Sequence, residues 1–271
     1  MLLSFDKSSN YLDSNPFVKE EVRFNLMHRI RDSERPIMMK SKNDKIIIAQ
    51  SLQHLPAWVW TDVNLEKQEY GELADDFYNL FSTSTTLKFI AKPGIDEFLA
   101  NDYSKRKNIT WKTTMRMEAY CCPEVIYSKN VSGFIRKASL DNLDVISEFF
   151  VGYLNDCFGI TTTIEKQIET ARAYILSGNF YIWEIDNKIV AMANIAHRSA
   201  RHVRINEVYT SPLQRKKGYA GALISELCKI IFRENKTPML YTDLLNPASN
   251  KAYKNVGFIE CGKVNQISFE F

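Results

Sequence analysis

Between residues 208 and 220 the chain reads Val208-Tyr-Thr-Ser-Pro-Leu-Gln-Arg-Lys-Lys-Gly-Tyr-Ala220: a strand-like run, a proline, consecutive cations, then small residues opening a helical pattern. The first amides of a helix have no partner within it and the helix dipole is positive there, so such a turn can hold a diphosphate on main-chain donors. Gly218 and Ala220 keep side-chain bulk away from the approach, while Arg215, Lys216 and Lys217 surround it with positive charge. A Walker-A loop is excluded because Tyr219 and Ala220 follow the glycine where Lys and Ser or Thr are required, and the Gly-x-Gly-x-x-Gly fingerprint is absent. The bland alternative is a basic surface loop ahead of a core helix. Position argues against it, since the turn follows the last strand of a meander and a second strand-loop-helix unit comes directly after.

The elements that must position this turn are legible from residue 134 onward. Phe134 to Ala138 alternates as a strand, and Ser139 and Asp141 offer caps to a helix striped by Leu143, Ile146, Phe149, Phe150, Tyr153 and Leu154, ending near Asp156. Thr162-x-x-Glu165 has the form of a capping box, and Ile164, Ile168, Ala171 and Ile175 give a second helix that stops at Gly178. Strands over Phe180–Ile185 and Ile189–Ile195 flank Asp186-Asn187-Lys188, residue types that tolerate a tight hairpin turn, and a third strand runs from Val203 to Thr210. After Gly218 the positions Ala220, Leu223, Ile224, Leu227 and Ile231 form one helical face. A strand at Met239–Asp243, a helix at Pro247–Val256 closed by Gly257, and a final strand with Phe258 and Ile259 complete the order.

The whole chain has 271 residues, more than the usual single domain of about 100–150 residues, so two units are expected: residues 1–130 and residues 134–271. The first half reads as a helix around Phe17–Ile30, a polar break over Asp32–Lys45, strands at Ile46–Ala49 and Ala57–Trp60, a helix at Tyr70–Phe81, a strand at Thr86–Ala91, a helix at Ile95–Tyr103 and a strand at Thr110–Tyr120. That is an α/β pattern without a Gly-rich turn, and Cys122–Gly133, which includes Ser128, is its exit linker. Trp58, Trp60 and Trp111 are core residues or walls of an acceptor pocket.

Hydrophobic residues at 45% and charged residues at 25% fit ordinary globular protein. The net charge of +3 is too small for whole-molecule attraction to nucleic acid, although Arg198, Arg201, Arg204 and Arg215 to Lys217 are the cations such a reading would use. No apolar run approaches the roughly 20 residues of a membrane span, and the start lacks a signal-peptide pattern, so a cytoplasmic location without a membrane partner is expected. Cys121, Cys122, Cys157, Cys228 and Cys261 show neither disulfide nor metal-ligand spacing, and with the scattered His28, His54, His197 and His202 they give no metal site.

Arg215-Lys-Lys-Gly-Tyr-Ala220 resembles the Arg/Gln-x-x-Gly-x-Gly/Ala signature of the GNAT superfamily of N-acetyltransferases, and the element order from residue 134 is similar to theirs. Leu240-Tyr-Thr-Asp-Leu-Leu-Asn-Pro-Ala-Ser-Asn-Lys-Ala-Tyr-Lys-Asn-Val-Gly-Phe258 resembles that family's second CoA-side motif. The resemblance implies a mixed α/β acyl-CoA N-acyltransferase fold over the second half, with the first half as a degenerate copy. It implies that amides of Arg215, Lys216, Lys217, Gly218, Tyr219 and Ala220 hold the CoA pyrophosphate, that Val208, Tyr209 and Thr210 pair with the pantetheine arm, and that Asn246 and Ser249 touch CoA.

Acetyl transfer from acetyl-CoA to a small-molecule or peptide amine then needs a proton acceptor for the amine and a donor for the thiolate. Glu207 is the candidate base, on the face of Val203, Ile205 and Tyr209 if the strand alternates strictly; a bulge would change its facing. Tyr253 is the candidate acid, and the amide of Tyr209 or Thr210 the oxyanion donor. The competing reading is a CoA-binding regulatory protein without chemistry.

Overall fold

The computed structural model describes residues 2–127 and 130–271; Ser128 and Lys129, inside the expected linker, lie outside the described residues. In chain order the elements are β1 (Leu3–Ser4), α1 (Leu26–Arg31), β2 (Ile37–Lys40), β3 (Ile46–Gln50), β4 (Ala57–Thr61), α2 (Lys67–Phe81), β5 (Lys88–Ala91), α3 (Ile95–Lys107) and β6 (Thr110–Cys121). They continue as β7 (Phe134–Lys137), α4 (Leu143–Phe158), α5 (Ile164–Leu176), β8 (Phe180–Ile185), β9 (Lys188–Arg198), β10 (His202–Thr210), α6 (Tyr219–Phe232), β11 (Thr237–Asp243), α7 (Pro247–Val256) and β12 (Ile259–Glu270). Two compact units result. The first comprises Met1–Tyr120, Tyr241–Asn246 and Glu260–Phe271, and the second Cys121–Leu240 and Pro247–Ile259. The sequence reading set the first domain's end at residue 130; the contacts divide the chain between Tyr120 and Cys121 and return two C-terminal segments to the first unit.

In the first unit β2, β3 and β4 form an antiparallel meander, β5 lies parallel to β4, and β12 pairs antiparallel with β5 from Asn265 opposite Ala91 to Ser268 opposite Lys88. Successive side chains of a strand point to opposite faces, so Ile46 and Ile48 join one core with α2 and α3 while Ile47 and Ala49 join another with Phe17, Phe24 and Met27. Trp58 and Trp60 belong to that second core and are not pocket walls. The polar break expected over Asp32–Lys45 contains β2, because pairing with β3 and burial of Met38 outweigh a locally polar composition. The single helix expected around Phe17–Ile30 is instead a 3-10 turn at Phe17–Glu20 followed by the short α1.

The elements from residue 134 onward follow the expected order: strand, two helices, three strands, helix, strand, helix, strand, the last of which, β12, belongs to the first unit from Glu260 onward. The strands of the second unit are ordered β11-β10-β9-β8-β7, with β10 parallel to β11 and the rest antiparallel. Helices α4 and α5 close over β8, β9 and β10 through Ile146, Phe150, Ile175, Phe180, Ile182 and Met192. Local capping differs in detail: Ser139 and Asn142 cap each other reciprocally ahead of α4, and α5 begins after Thr163 rather than at a Thr162 box. Among the described residues no helix is long and apolar enough to cross a membrane.

The β8–β9 hairpin turns on Asp186 and Asn187, both at positive φ (48° and 59°), which matches the right-handed strand twist. Left-handed backbone costs an L-residue about 1–2 kcal/mol unless its side chain is short and polar. Asn187→Val is therefore expected to lower unfolding stability by about 1–2 kcal/mol, and Asn187→Gly to leave it equal or raised, as read by urea denaturation of both variants.

Candidate active site

The site is built on β10 and the turn after it. Asn206 pairs with Asn194 and Tyr209 with Met192, so Glu207 and Val208 together stand opposite the single Ala193. This is a β-bulge, and Glu207 sits in it at φ 52°. Strict alternation, which would place Glu207 on the face of Val203, Ile205 and Tyr209, is broken here: those three are buried and Glu207 is half-buried. The pairing of β10 with β11 runs from His202 opposite Thr237 to Arg204 opposite Met239 and extends no further, which frees the β10 edge at Val208, Tyr209 and Thr210 from that neighbour.

The bulged carboxylate has specific partners. The Tyr174 hydroxyl of α5 donates to Glu207 Oε1 at 3.0 Å, and the Asn206 amide donates to the same oxygen at 3.0 Å. Asn194 in turn donates to Asn206 Oδ1 at 2.9 Å. From α4 the Tyr153 hydroxyl interacts with the same carboxylate; burial first, then the Glu207 charge, raises that phenol's pKa. Tyr253 of α7 is buried, which raises its pKa too, with the Cys157 thiol pushing the same way and a hydrogen bond to Ser249 opposing.

After β10 a 3-10 turn at Pro212–Gln214 leads into the anion-type turn. Lys216 (φ 66°) and Gly218 (φ 93°) both take positive φ, and Gly218 is the N-cap of the 14-residue α6. Ala222 makes the first helical bond, to the Gly218 carbonyl at 3.0 Å; among the described residues no protein acceptor meets the amides of Lys216, Lys217, Gly218, Tyr219, Ala220 or Gly221. The Thr210 hydroxyl is buried without a partner as well. Orphaned donors of this kind are costly unless a ligand or water takes them, so the turn fits a diphosphate.

Arg215 is committed elsewhere. Its guanidinium pairs with Asp156 at the end of α4, donates to the Thr210 carbonyl at 3.0 Å and covers the Tyr209 ring at 5.4 Å. The Asp156 bond raises its pKa above the usual arginine value. Lys216 and Lys217 are exposed as Arg215 is, and Lys217 Nζ donates to Gln214 Oε1 at 2.8 Å. Asn246 falls in the first unit, donating its amide to the Asp243 carbonyl at 3.0 Å. Among the described residues no cluster of His, Cys, Asp or Glu could hold a metal ion.

The pattern of the Acetyltransferase (GNAT) family matches residues 143–258. The chain carries a GNAT domain. Solved structures share the fold across nearly the whole chain. An acetyltransferase from the GNAT family of Colwellia psychrerythraea covers 100% of this chain and 99% of its own at 12% identity and a TM-score of 0.57. A Drosophila protein covers 99% and 98% at 10% identity and TM-score 0.69, and a GCN5-related N-acetyltransferase from Kribbella flavida covers 94% and 96% at 10% identity and TM-score 0.60. A search of curated proteins finds no match.

Sequence reasoning did not single out Tyr174, Asn206 or Asp156, and took Tyr153 only as part of an apolar stripe. The signal was present in the GNAT helices: a phenol on an apolar face needs a hydrogen-bond partner for its hydroxyl.

Gly152 of the same α4 turn faces Tyr209 so closely that an added Cβ would lie 2.0 Å from the phenol oxygen. Helix propensity favours Gly→Ala by up to about 1 kcal/mol, and this clash opposes it by about 1–3 kcal/mol. Gly152→Ala is expected to lower the melting temperature; a rise would refute the close fit of Tyr209 on α4.

Proposed function

We propose that the GNAT domain is an N-acetyltransferase that moves an acetyl group from acetyl-CoA to a primary amine, of a small molecule or a peptide, by direct attack in a ternary complex. The observation carrying this reading is the combination on one strand-turn-helix segment of a bulged carboxylate, Glu207, and a run of unpartnered amides from Lys216 to Gly221. Those amides would hold the pyrophosphate, with Lys216 and Lys217 beside it, while the β10 edge at Val208, Tyr209 and Thr210 takes the pantetheine arm as an added strand would.

When bound, acetyl-CoA supplies the thioester carbonyl and a thiolate leaving group. Glu207 takes the proton that the attacking nitrogen loses. Tyr253 gives one to the departing sulfur; burial raises its pKa, so it holds its proton at neutral pH and serves as donor. An amide of Tyr209 or Thr210 meets the developing oxyanion. Arg215 holds the turn to α4 through Asp156. A silent CoA-binding protein is the competing reading, and it gives Glu207 and Tyr253 no task.

Thiol release from acetyl-CoA over an amine panel separates the two. The wild type is expected to release CoA with at least one amine, and Glu207→Gln and Tyr253→Phe to lower that rate by about 100-fold or more and about tenfold respectively. Binding of CoA without release on any amine would favour the silent reading, and undiminished rates in both variants would remove the catalytic assignments.

We also read the first unit as a GNAT-like copy without a cofactor site of its own. It repeats an antiparallel meander, a helix, a strand parallel to the meander's last strand, and a further helix and strand. Its helix at the corresponding place, α2, is closed by its own acids: Glu66 accepts from the third residue of the helix, and Glu69 accepts from the Glu66 amide at 2.6 Å. Carboxylates fill the position an incoming phosphate would need. Calorimetry with CoA is expected to give one site per chain; two sites would overturn this reading.

A further inference from the structure

Glu207 carries a task, on the reading above, that its backbone alone does not secure. It lies in a bulge at left-handed φ, in a strand whose pairing slips around it, and a glutamate has free rotation about three side-chain bonds. Its carboxylate is nevertheless gripped from one helix and its own strand. Tyr174 of α5 and Asn206 of β10 each donate to Oε1 at 3.0 Å. The Tyr174 phenol is itself held by packing, 5.1 Å from the Phe150 ring and 5.5 Å from that of Phe180.

An ionised carboxylate offers about four lone-pair sites. Two donors on Oε1 leave the sites on Oε2, which fixes the side of the carboxylate from which an N–H can approach.

We infer that Tyr174 is a positioning residue of this site, acting through Glu207: its phenol and Asn206 hold the carboxylate in one rotamer on the bulge through Oε1 and leave Oε2 for the acceptor nitrogen. The inference rests on the acetyltransferase reading. It differs from a packing role for Tyr174, because the ring contacts would survive replacement by phenylalanine and the hydrogen bond would not.

The test is a set of cycles. Tyr174→Phe and Asn206→Ala are made in the wild type and in Glu207→Gln, and thiol release from acetyl-CoA is followed at high enzyme concentration. The panel holds a simple alkylamine, an arylalkylamine, a polyamine, lysine and an aminoglycoside, and the fastest is used. Each single variant is expected to lose about tenfold in kcat, the scale of one hydrogen bond to a charged group, with KM for acetyl-CoA unchanged. In the Glu207→Gln background the same changes are expected to cost less than about twofold, since residues acting as one unit are not additive.

Equal losses in both backgrounds would overturn the inference while leaving the acetyltransferase reading intact. A wild type that releases no thiol with any amine would remove the reading beneath it. A crystal structure of Tyr174→Phe supplies a readout free of turnover: the Glu207 carboxylate is expected to leave its position, and one that stays in place overturns the grip.

Discussion

Two residues of β10, Glu207 and Val208, face one residue of β9, and the arrangement around the candidate site follows from that mismatch. An extra residue in one strand bends it, raises its local twist and re-aims the side chain that carries it. Here the re-aimed side chain is a carboxylate. Past the same region the parallel pairing with β11 has already ended, so the edge of β10 over Val208, Tyr209 and Thr210 is free of that strand. Holding a glutamate at φ 52° costs about 1–2 kcal/mol, and the hydrogen bonds from Tyr174 and Asn206 offset a cost of that size.

The turn beyond the strand divides its charges between two tasks. Three cations stand side by side in sequence, yet Arg215 faces Asp156, the Thr210 carbonyl and the Tyr209 ring. It fastens the turn to α4. Lys216 and Lys217 remain exposed, and the unpartnered amides of α6 supply the directional donors. A guanidinium suits the fastening role because its planar fork serves a carboxylate, a carbonyl and an aromatic face together, which an ammonium cannot do.

The two units give a controlled contrast. Each builds a meander, a helix and a parallel strand in the same order, and each has a helix N-terminus after the meander. In the second that terminus is left open by glycine at the N-cap; in the first Glu66 and Glu69 close it. A helix end that carries its own carboxylates opposes the approach of an anion. One architecture therefore carries two differently capped helix starts.

What the sequence determined by itself was whatever depends on nearby residues. Helical stripes, the Asp186-Asn187 turn, the start of a helix after Gly218 and the order of elements after residue 134 all follow from periodicity and backbone freedom within a few positions. Where neighbours in space outweigh neighbours in sequence, the reading failed: β2 is a strand because β3 pairs with it, and Phe17–Ile30 breaks into short turns because its apolar residues pack on β3 and β4 rather than along one helix. Glu207 shows the same limit at the site. Its residue type could be recognised along the chain, but its facing was set by the bulge against β9, and its two donors come from α5 and β10. Strand register and hydrogen bonds between distant segments form only when the chain is folded, so they were decided by the tertiary structure alone.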